Sequence, residues 1–393
     1  DVCSSDLFNL TLFSLSAIGW NQFSPLVANQ RKVQISSSHF SRIFSTLLYS
    51  SQISSLDLRS SSFEYILQPV VKLDKETGKL FTSRLKIENS KTKIKIDECT
   101  FNKCGNEKED GGALYIKSGG DCEIIGTGFS NCHGNHGGSI YCDSLNSLTM
   151  NGCCIFGSKG KTNSIMNVKT NDHISIQQTY ISDCYGSSES SCEISSKKVE
   201  ITDLSISKNN ADSSSLLSIS GLEVLRDCYF AENKGNSILD VQSVDGFAGQ
   251  RVRFEKNNAN NIISLKNNDE SMPLHNIYII NDESKMISNN QITFIDSIFS
   301  ESEEKVKEKL KNGHLGIGNK FGTTDAPAIN IKPSDQCWKH LPTPDGEKTN
   351  SITTGQKIAI AILVIFIFVI VIIIVRKFLC QKNGGMEPLR YTV

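Results

Sequence analysis

Short stretches of alternating apolar and polar residues recur along most of the chain. Each stretch ends a few residues before a large apolar residue, which we call the anchor. The anchors are Phe40, Phe63, Phe101, Phe129, Ile155, Ile181, Ile206, Phe230, Phe254, Ile279 and Phe299. Their spacings are 23, 38, 28, 26, 26, 25, 24, 24, 25 and 20 residues. The hydrophobic pattern therefore repeats about every 25 residues, which is typical of a solenoid.

The positions five and seven residues before the anchors carry the strongest signal. Twenty of these 22 positions are apolar, whereas the chain's 38% hydrophobic content predicts about eight. The exceptions are Glu223 and Gly249, and the intervening position is mostly polar. A period of two predicts a β-strand with one buried face. Two residues before the anchor the side chain is usually small, as at Ser38, Ser61, Cys99, Thr127, Cys153, Thr179 and Cys228.

A second apolar patch follows several anchors, as in Leu114-Tyr115-Ile116 and Ile140-Tyr141-Cys142. Glycine pairs precede these two patches in GGALY (111–115) and GGSIY (137–141). We expect the pairs to form corners where a β-carbon would clash or where φ is positive.

These strands predict an all-β fold, a right-handed parallel β-helix over residues 8–300. The sequence lacks the leucine-rich repeat signature, and propeller blades need a longer period of roughly 40–50 residues. At about 4.8 Å per rung, about eleven coils give a rod on the order of 50 Å long. The long gap between Phe63 and Phe101 predicts an extra loop near 73–81.

A solenoid end exposes its core and needs a cap. Residues 301–313 predict a capping helix, with a capping box of Ser300 and Glu303. Val306 and Leu310 share one face, and Gly313 is expected to end the helix. Residues 314–356 are predicted to form a stalk.

The stalk leads to a transmembrane helix predicted over 357–376. Residues 358–375 contain no polar side chain, which is enough to cross a hydrocarbon core of about 30 Å. Basic residues follow the run, so the tail (377–393) is predicted to be cytoplasmic. This arrangement predicts a type I single-pass protein of the plasma membrane with an extracellular ectodomain. The last three residues, 391–393, have a form that some PDZ domains bind, although such endings are common by chance.

The N-terminal residues 1–7 are expected to be a non-native leader, Cys3 included, and no signal peptide is recognisable. The sequon NLT makes Asn9 a candidate for N-glycosylation. The net charge of −1 and the dispersed basic residues argue against a nucleic-acid partner.

The 13 cysteines of a predicted extracellular chain suggest disulfides. Cys104 and Cys132 occupy equivalent turn positions on neighbouring rungs, so they are the predicted pair. Cys99, Cys153 and Cys228 are expected to be small buried residues instead. Cys380 follows the span and is a candidate for palmitoylation, with a free thiol as the alternative.

No cofactor or metal site is predicted, because the sequence has no CxxC and its histidines are scattered. Parallel β-helix hydrolases and lyases need clustered acidic residues, a basic triplet or a calcium site. The motif HGNHGG (133–138) is the only stretch that resembles such an active-site motif. Its residues His133 and His136 are expected in a solvent-facing turn. We therefore expect a protein that is not an enzyme; a polyuronide lyase or hydrolase is the weakest alternative.

The motifs GGALY and GGSI, together with FAEN (230–233) and FEKN (254–257), resemble the repeats of chlamydial polymorphic membrane proteins. The single C-terminal span makes the layout more similar to polymorphic-membrane-protein-like surface families of trichomonad parasites. This resemblance implies adhesion or interaction with a host surface, through a glycan or protein ligand on the β-helix wall. The alternative is a structural or antigenically variable coat protein without a specific ligand.

Overall fold

The computed structural model describes residues 9–18, 26–27, 32–50, 53–74, 92–186, 188–212, 214–242, 248–266, 272–288 and 292–329. These residues form a parallel β-solenoid of about 11 turns, with one short helix. The predicted all-β, right-handed parallel β-helix-like architecture is confirmed. The predicted loop near 73–81 and the predicted membrane span lie largely or wholly outside the described residues.

Each coil contributes to three parallel ladders of strands. The leading ladder contains the residues five and seven positions before the anchors. Its separate strands are Asn9–Phe13, Lys32–Ser36, Ser55–Arg59, Thr92–Asp97, Gly120–Ile125, Ile292–Ile295 and His314–Leu315. The anchor ladder contains the anchors. Its separate strands are Ser16–Ile18, His39–Ser41, Ser62–Glu64, Thr100–Asn102, Gly128–Ser130, Cys154–Phe156, Ile298–Phe299 and Lys320–Phe321.

The trailing ladder follows the anchors. Its separate strands are Leu26–Val27, Leu48–Ser50, Val71–Asp74, Leu114–Lys117, Lys234–Gln242, Asn258–Lys266 and Met286–Ser288. In the middle of the rod, single strands continue around corners and serve more than one ladder. These strands are Ile140–Asn151, Met166–Ser182, Cys192–Ser207, Ser215–Ala231, Ala248–Glu255 and Met272–Ile280. A short side pair, His133–Gly134 with Lys159–Gly160, lies at one corner.

All eleven predicted anchors pair with one another in a single register. Phe101 lies between Phe63 and Phe129, with ring centroids 5.0 and 5.1 Å away. The structure adds two members that the sequence analysis missed. Ala17 pairs with Phe40 at the N-terminal end, and Phe321 pairs with Phe299 at the other end. The core is thus a continuous column of stacked side chains.

The two exceptions to the apolar pattern have different outcomes. At Glu223 the register shifts by one residue, so Leu222 pairs with Val199 and is fully buried. Gly221, with φ +81°, makes this shift accessible to the backbone. In this coil the inward residue is therefore Leu222, eight and not seven positions before the anchor Phe230. Gly249 keeps its place between Leu225 and Leu274, where it borders a small apolar cavity.

The anchor strand is bounded by two left-handed corners in nearly every coil. Residues three positions before the anchors have positive φ: Ser37, Ser60, Glu98, Gly126, Gly152, Gln178, Asp203, Asp227, Arg251, Asn276 and Asp296. Residues two positions after the anchors also have positive φ: Arg42, Tyr65, Lys103, Asn131, Gly157, Asp183, Lys208, Glu232, Lys256 and Asn281. Because L-residues disfavour this region, hydrogen bonds between rungs must hold the corners.

The glycine pairs form corners as predicted. Gly137 has φ +63°, and an added β-carbon would lie 2.0 Å from the carbonyl oxygen of Ile140. At its neighbour Gly138 the obstacle is the carbonyl oxygen of Ser164, 2.2 Å away. Only glycine fits both positions without a shift of the backbone.

An asparagine ladder stabilises the corner that follows the anchors. Asn209, Asn233 and Asn257 each lie three residues after an anchor and are buried. The side-chain oxygen of Asn233 accepts hydrogen bonds from both the backbone and the side-chain nitrogen of Asn209. The side-chain oxygen of Asn257 accepts the same two hydrogen bonds from Asn233, and a carboxylate oxygen of Asp282 accepts them from Asn257. The asparagine of the FxxN motif thus has a structural role.

The C-terminal cap differs from the prediction in two respects. The helix spans Glu303–Lys309, and its N-cap is Ser302, which makes no side-chain capping bond, so the box of Ser300 and Glu303 is absent. Val306 and Leu310 are buried against the core, as predicted. The strands His314–Leu315 and Lys320–Phe321 then extend the ladders past the helix. The solenoid therefore continues beyond the boundary predicted at residue 300.

Candidate binding face

The outward positions of the rod are mostly polar. The exposed large apolar side chains among the described residues are Phe13, Ile18, Phe44, Tyr65, Leu67, Tyr185 and Ile317. Phe44, Tyr65 and Leu67 lie on two neighbouring coils and mark a candidate binding face. Phe44 and Leu67 lie four residues after their anchors and are 53% and 48% exposed. They occupy neighbouring rungs, because the backbone nitrogen of Leu67 donates to the carbonyl of Ile43. Tyr65 is 45% exposed on the same coil as Leu67. Adjacent exposed apolar side chains of this kind are typical of interaction surfaces.

Phe44 and Leu67 line a groove of about 640 Å³, which we call the corner groove. Its lining residues are Phe44, Leu67, Gln68, Gly105, Asn106, Glu107, Lys108 and His133. The size lies within the usual range of ligand pockets, about 300–1,000 Å³. Apolar rings and methyl groups lie beside a carboxylate, an ammonium, an imidazole and two amides, so the groove offers both apolar contact and hydrogen bonds.

The loop 105–109 forms one wall of the corner groove and is held by specific hydrogen bonds. The side-chain amide of Asn106 donates to the carbonyl of Leu67. The backbone nitrogen of Lys108 in turn donates to Oδ1 of Asn106 at 2.8 Å, which closes a local turn. The backbone nitrogen of Gly105 donates to the carbonyl of Ile66 at 2.7 Å. The wall is therefore preformed and attached to the rod.

His133 forms the far side of the corner groove and is half-buried. Burial lowers the pKa of His133, and the positive charge of Lys159 lowers it further. The imidazole is consequently neutral near pH 7, with one nitrogen that donates and one that accepts. The prediction of a solvent-facing turn is thus only partly right for this residue, since the ring faces the groove.

A polar and aromatic cluster adjoins the corner groove across the glycine corners. Tyr115 and Tyr141 stack with ring centroids 5.2 Å apart. Nζ of Lys72 lies 5.4 Å from the ring centre of Tyr115 and 2.8 Å from a carboxylate oxygen of Glu109. Because the two rings stack along the rod axis, their edges and hydroxyl groups face outward.

His136 is also engaged, and not simply solvent-facing as predicted. Its Nδ1 lies 2.7 Å from Oδ1 of Asp110, and its backbone nitrogen donates to the same oxygen at 3.2 Å. The amide of Asn135 donates to this oxygen at 3.1 Å. The three contacts fix the loop between the two glycine corners, so this cluster is a rigid flank of the groove.

The structure brings Cys104 and Cys132 together as predicted, but both are free thiols, so the predicted disulfide between them is absent. Both side chains point into the core, and each thiol donates to backbone carbonyls. The two thiols also interact with each other, although no covalent bond joins them. Burial raises the pKa of Cys104 well above its ordinary value.

Other predicted positions have mixed outcomes. Cys99, Cys153 and Cys228 are buried thiols that donate to backbone carbonyls, which confirms their interpretation as small core residues. Asn9 begins the strand Asn9–Phe13, and its glycosylation stays a prediction. Cys380 and the tail ending 391–393 lie outside the described residues.

Two groups of residues were missed at the level of sequence. Cys154 is disulfide-bonded and was not singled out. Phe44 and Leu67 were also missed. The equivalent positions of the other coils hold Gly105, His133, Lys159, Tyr185, Asn210, Lys234, Asn258 and Glu283. Phe and Leu on two consecutive coils at this mostly polar position are the signal that could have indicated an exposed apolar patch.

Within the described part of the chain, no group of three or more His, Cys, Asp or Glu side chains is arranged to hold a metal ion. In that same part, no helix combines the length and the apolar character that crossing a membrane requires. No protein-family model, curated protein or solved structure matches this chain. The fold and the geometry of the binding face are therefore the basis for a functional conclusion.

Proposed function

We propose that this chain is a single-pass cell-surface protein whose β-solenoid binds a protein partner at the corner groove. The observation that carries the proposal is the exposure of Phe44 and Leu67 side by side on neighbouring rungs. A few side chains that become fully buried against a partner contribute most of the binding energy of a protein interface. Lys108, Glu107 and His133 would form the polar rim.

The surroundings of the groove also support a binding role. Its loop wall is held to the rod by hydrogen bonds, so little ordering is needed when a partner binds. The cluster of Lys72, Tyr115 and Tyr141 beside the groove enlarges the surface available to a partner. A glycan is the less favoured ligand, because the stacked tyrosines present their edges and not their faces.

The cell-surface part of the proposal is supported by the apolar run 358–375 and the basic residues after it. The run is long enough to anchor the rod, and the basic residues favour a cytoplasmic tail. The resemblance to polymorphic-membrane-protein-like repeats points to the same location.

A cell-adhesion assay tests the proposal. The full chain is expressed on non-adherent cells, and their attachment to epithelial monolayers is counted against cells that carry an empty vector. We expect saturable attachment that is lost after mild protease treatment of the monolayer and kept after glycosidase treatment. Loss after glycosidase treatment alone would identify a glycan partner and overturn this proposal. Attachment equal to the empty vector would favour a coat protein without a ligand.

A further inference from the structure

The outward side of the trailing ladder carries two columns of side chains that run along the rod, and we call this surface the trailing face. The first column contains, in pairing order, Tyr49, Lys72, Tyr115, Tyr141, Asn167 and Glu193. The second column lies two residues further along each strand and contains Asp74, Lys117, Asp143 and Lys169. The residues between the columns, such as Ile116 and Cys142, are fully buried, so the columns point away from the core.

Charge alternates along the second column. Lys117 pairs with Asp74 on one side and with Asp143 on the other. Cys142 pairs with Val168, and the residue after Val168 is Lys169. Neighbouring rungs are about 4.8 Å apart, so negative and positive side chains follow one another at this interval over four rungs. The column has no net charge and can therefore recognise a partner by register.

The alternation is self-complementary. Consider a twofold axis that runs along the strand direction, midway between the rungs of Lys117 and Asp143. It places Lys117 opposite Asp143 of a second copy, and Asp74 opposite Lys169 of that copy. Because the interface is isologous, each pairing occurs twice. A copy shifted by one rung would instead place Lys117 opposite Lys117 and Asp74 opposite Asp143, so repulsion excludes that register.

The first column accepts the same arrangement without opposing like charges. Tyr115 lies opposite Tyr141 of the second copy, and Lys72 lies opposite Asn167. Burial raises the pKa of Tyr115 to about 12, Asp74 raises it further, and Lys117 lowers it, so the hydroxyl lies near both charges of the second column. Tyrosine is enriched in protein interfaces, where its ring and its hydroxyl group both make contacts.

We propose that the trailing face binds a second copy of this chain in an antiparallel dimer, with Lys117 of each copy opposite Asp143 of the other. Charge complementarity favours this partner, because all four charges of the second column face an opposite charge at once. A parallel dimer, with its twofold axis along the rod between the columns, would place Lys117 opposite Tyr115 and pair only Lys72 with Asp74.

The size of the trailing face sets the expected affinity. Five rung spacings, or about 24 Å, separate Tyr49 from Glu193. Interfaces of such limited extent are typical of weak, transient association. We therefore expect a dimer that forms at micromolar concentrations.

The antiparallel arrangement places the C-terminal rungs of the two copies at opposite ends of the pair. With the membrane anchor of the proposed function, two rods joined in this way would connect membranes that face each other. Formation of the dimer does not require that anchor. Phe44 and Leu67 of the corner groove belong to neither column, so the dimer also does not depend on the groove.

Sedimentation velocity of the full chain tests the proposal. The chain is reconstituted at one copy per lipid nanodisc, and its mass is followed up to about 100 µM, because dimer formation depends on concentration. We expect the mass of two loaded discs at the upper end of the series. The dimer should dissociate in about 1 M salt, where the Debye length falls to about 3 Å. The mass of one loaded disc throughout, or a dimer indifferent to salt, would overturn the proposal.

A charge-exchange experiment tests the register. Lys117→Asp places two carboxylates opposite each other, and Asp143→Lys places two ammonium groups opposite each other, so each variant alone should be monomeric. An equimolar mixture of the two variants restores opposite charges at both pairings and should recover the dimer. A mixture that stays monomeric, or a single variant that dimerises like the unaltered chain, would overturn the proposal.

Lys95→Asp is the matched control. Lys95 lies between Asp57 and Glu123 on the leading ladder, so its reversal also puts three carboxylates in a row, but on another face of the rod. This variant should dimerise like the unaltered chain. Its loss of the dimer would show that charge reversal acts through the stability of the rod, and would overturn the proposal.

A double variant keeps the test decisive if a single variant does not fold. Lys117→Asp and Asp143→Lys combined in one chain exchange the two charges and should restore the dimer; a monomeric double variant would overturn the proposal. The groove variant Phe44→Ser/Leu67→Ser should also dimerise normally, and its loss of the dimer would contradict the assigned face. Failure of the corner groove and failure of the dimer are thus separate results.

Discussion

Oδ1 of Asn257 accepts two hydrogen bonds from Asn233, one from the backbone nitrogen and one from the side-chain amide, both at 3.1 Å. The amide of Asn233 also donates to the carbonyl of Ile206 at 2.9 Å. One buried side chain thus connects three successive coils. This relationship explains why asparagine follows the anchor by three residues, a feature that hydrophobic periodicity alone does not account for.

Replacement of Asn233 by Ala should destabilise the solenoid. The change removes the side-chain partner of the backbone nitrogen of Asn209 and of the carbonyl of Ile206, whereas the amide of Asn209 still donates to the carbonyl of Ser207. Buried unpaired groups cost about 1–3 kcal/mol each, so we expect a loss of about 2–4 kcal/mol in the free energy of unfolding. Urea denaturation measures it. Asn236→Ala, at an exposed asparagine that pairs with Asn260, is the control and should change stability by less than about 0.5 kcal/mol.

Two phenylalanines should separate stability from binding. Phe101 lies between two stacked rings and is fully buried, so Phe101→Ala should cost about 3–5 kcal/mol. Phe44→Ala removes an exposed ring and should leave the free energy of unfolding nearly unchanged. Thermal melting of both proteins checks this. Equal destabilisation by the two changes would show that Phe44 is a core residue and not part of a binding surface.

A glycine pair tests the corner geometry. Gly137 and Gly322 have similar positive φ values, +63° and +68°. An added β-carbon meets the carbonyl of Ile140 at Gly137 but nothing within 4 Å at Gly322. Both Ala variants incur the left-handed penalty of about 1–2 kcal/mol, and only Gly137→Ala adds a backbone clash. Gly137→Ala should therefore unfold at a lower urea concentration than Gly322→Ala; the reverse order would contradict the assigned corner.

The buried thiols predict a loss of stability in alkali. Burial raises the pKa of Cys99, Cys142, Cys153, Cys184 and Cys228 from 9.0 to about 12. Between these pH values the unfolded chain releases protons that the folded chain retains. Stability is therefore fully present below pH 9 and falls as the pH rises towards 12.

Urea unfolding at pH 8, 9.5 and 10.5, with thiols kept reduced, measures this decline. Each buried thiol adds up to one released proton to the slope. The variant Cys153→Ala should therefore have a shallower slope than the unaltered chain, by up to one proton. A free energy of unfolding that is independent of pH in this range would mean that the thiols are not shielded from water.

The register of the rod could be predicted because it depends on local periodicity. The anchors pair as the spacing predicts from Phe40 to Phe299, and so do most of the described positions five and seven residues before them. Glu223 was misplaced because a one-residue shift at Gly221 moves Leu222 inward. Spacing alone does not reveal such a shift, because the distance between anchors is the same whether residue 222 or residue 223 points inward.

The binding face and the cysteine chemistry were less accessible from sequence. The corner groove exists only where Phe44 and Leu67 stack beside the loop 105–109, and that loop is defined by its hydrogen bonds. Equal spacing brings the thiols of Cys104 and Cys132 close enough to interact, but it does not determine whether they are covalently joined, and both are free in the structure. Cys154 faces outward while its neighbour Cys153 faces inward. The alternation of side chains along a strand does predict this difference.

The most direct test of the proposed function is the binding of groove variants to epithelial monolayers. The full chain, reconstituted in lipid nanodiscs and labelled, is compared with a Phe44→Ser/Leu67→Ser double variant. The control carries Lys208→Ser and Glu232→Ser, which are exposed residues of distant coils. We expect saturable binding that weakens at least tenfold in the groove variant and is unchanged in the control. Equal binding by all three proteins, each with an unaltered melting temperature, would contradict the assignment of the corner groove as the binding site.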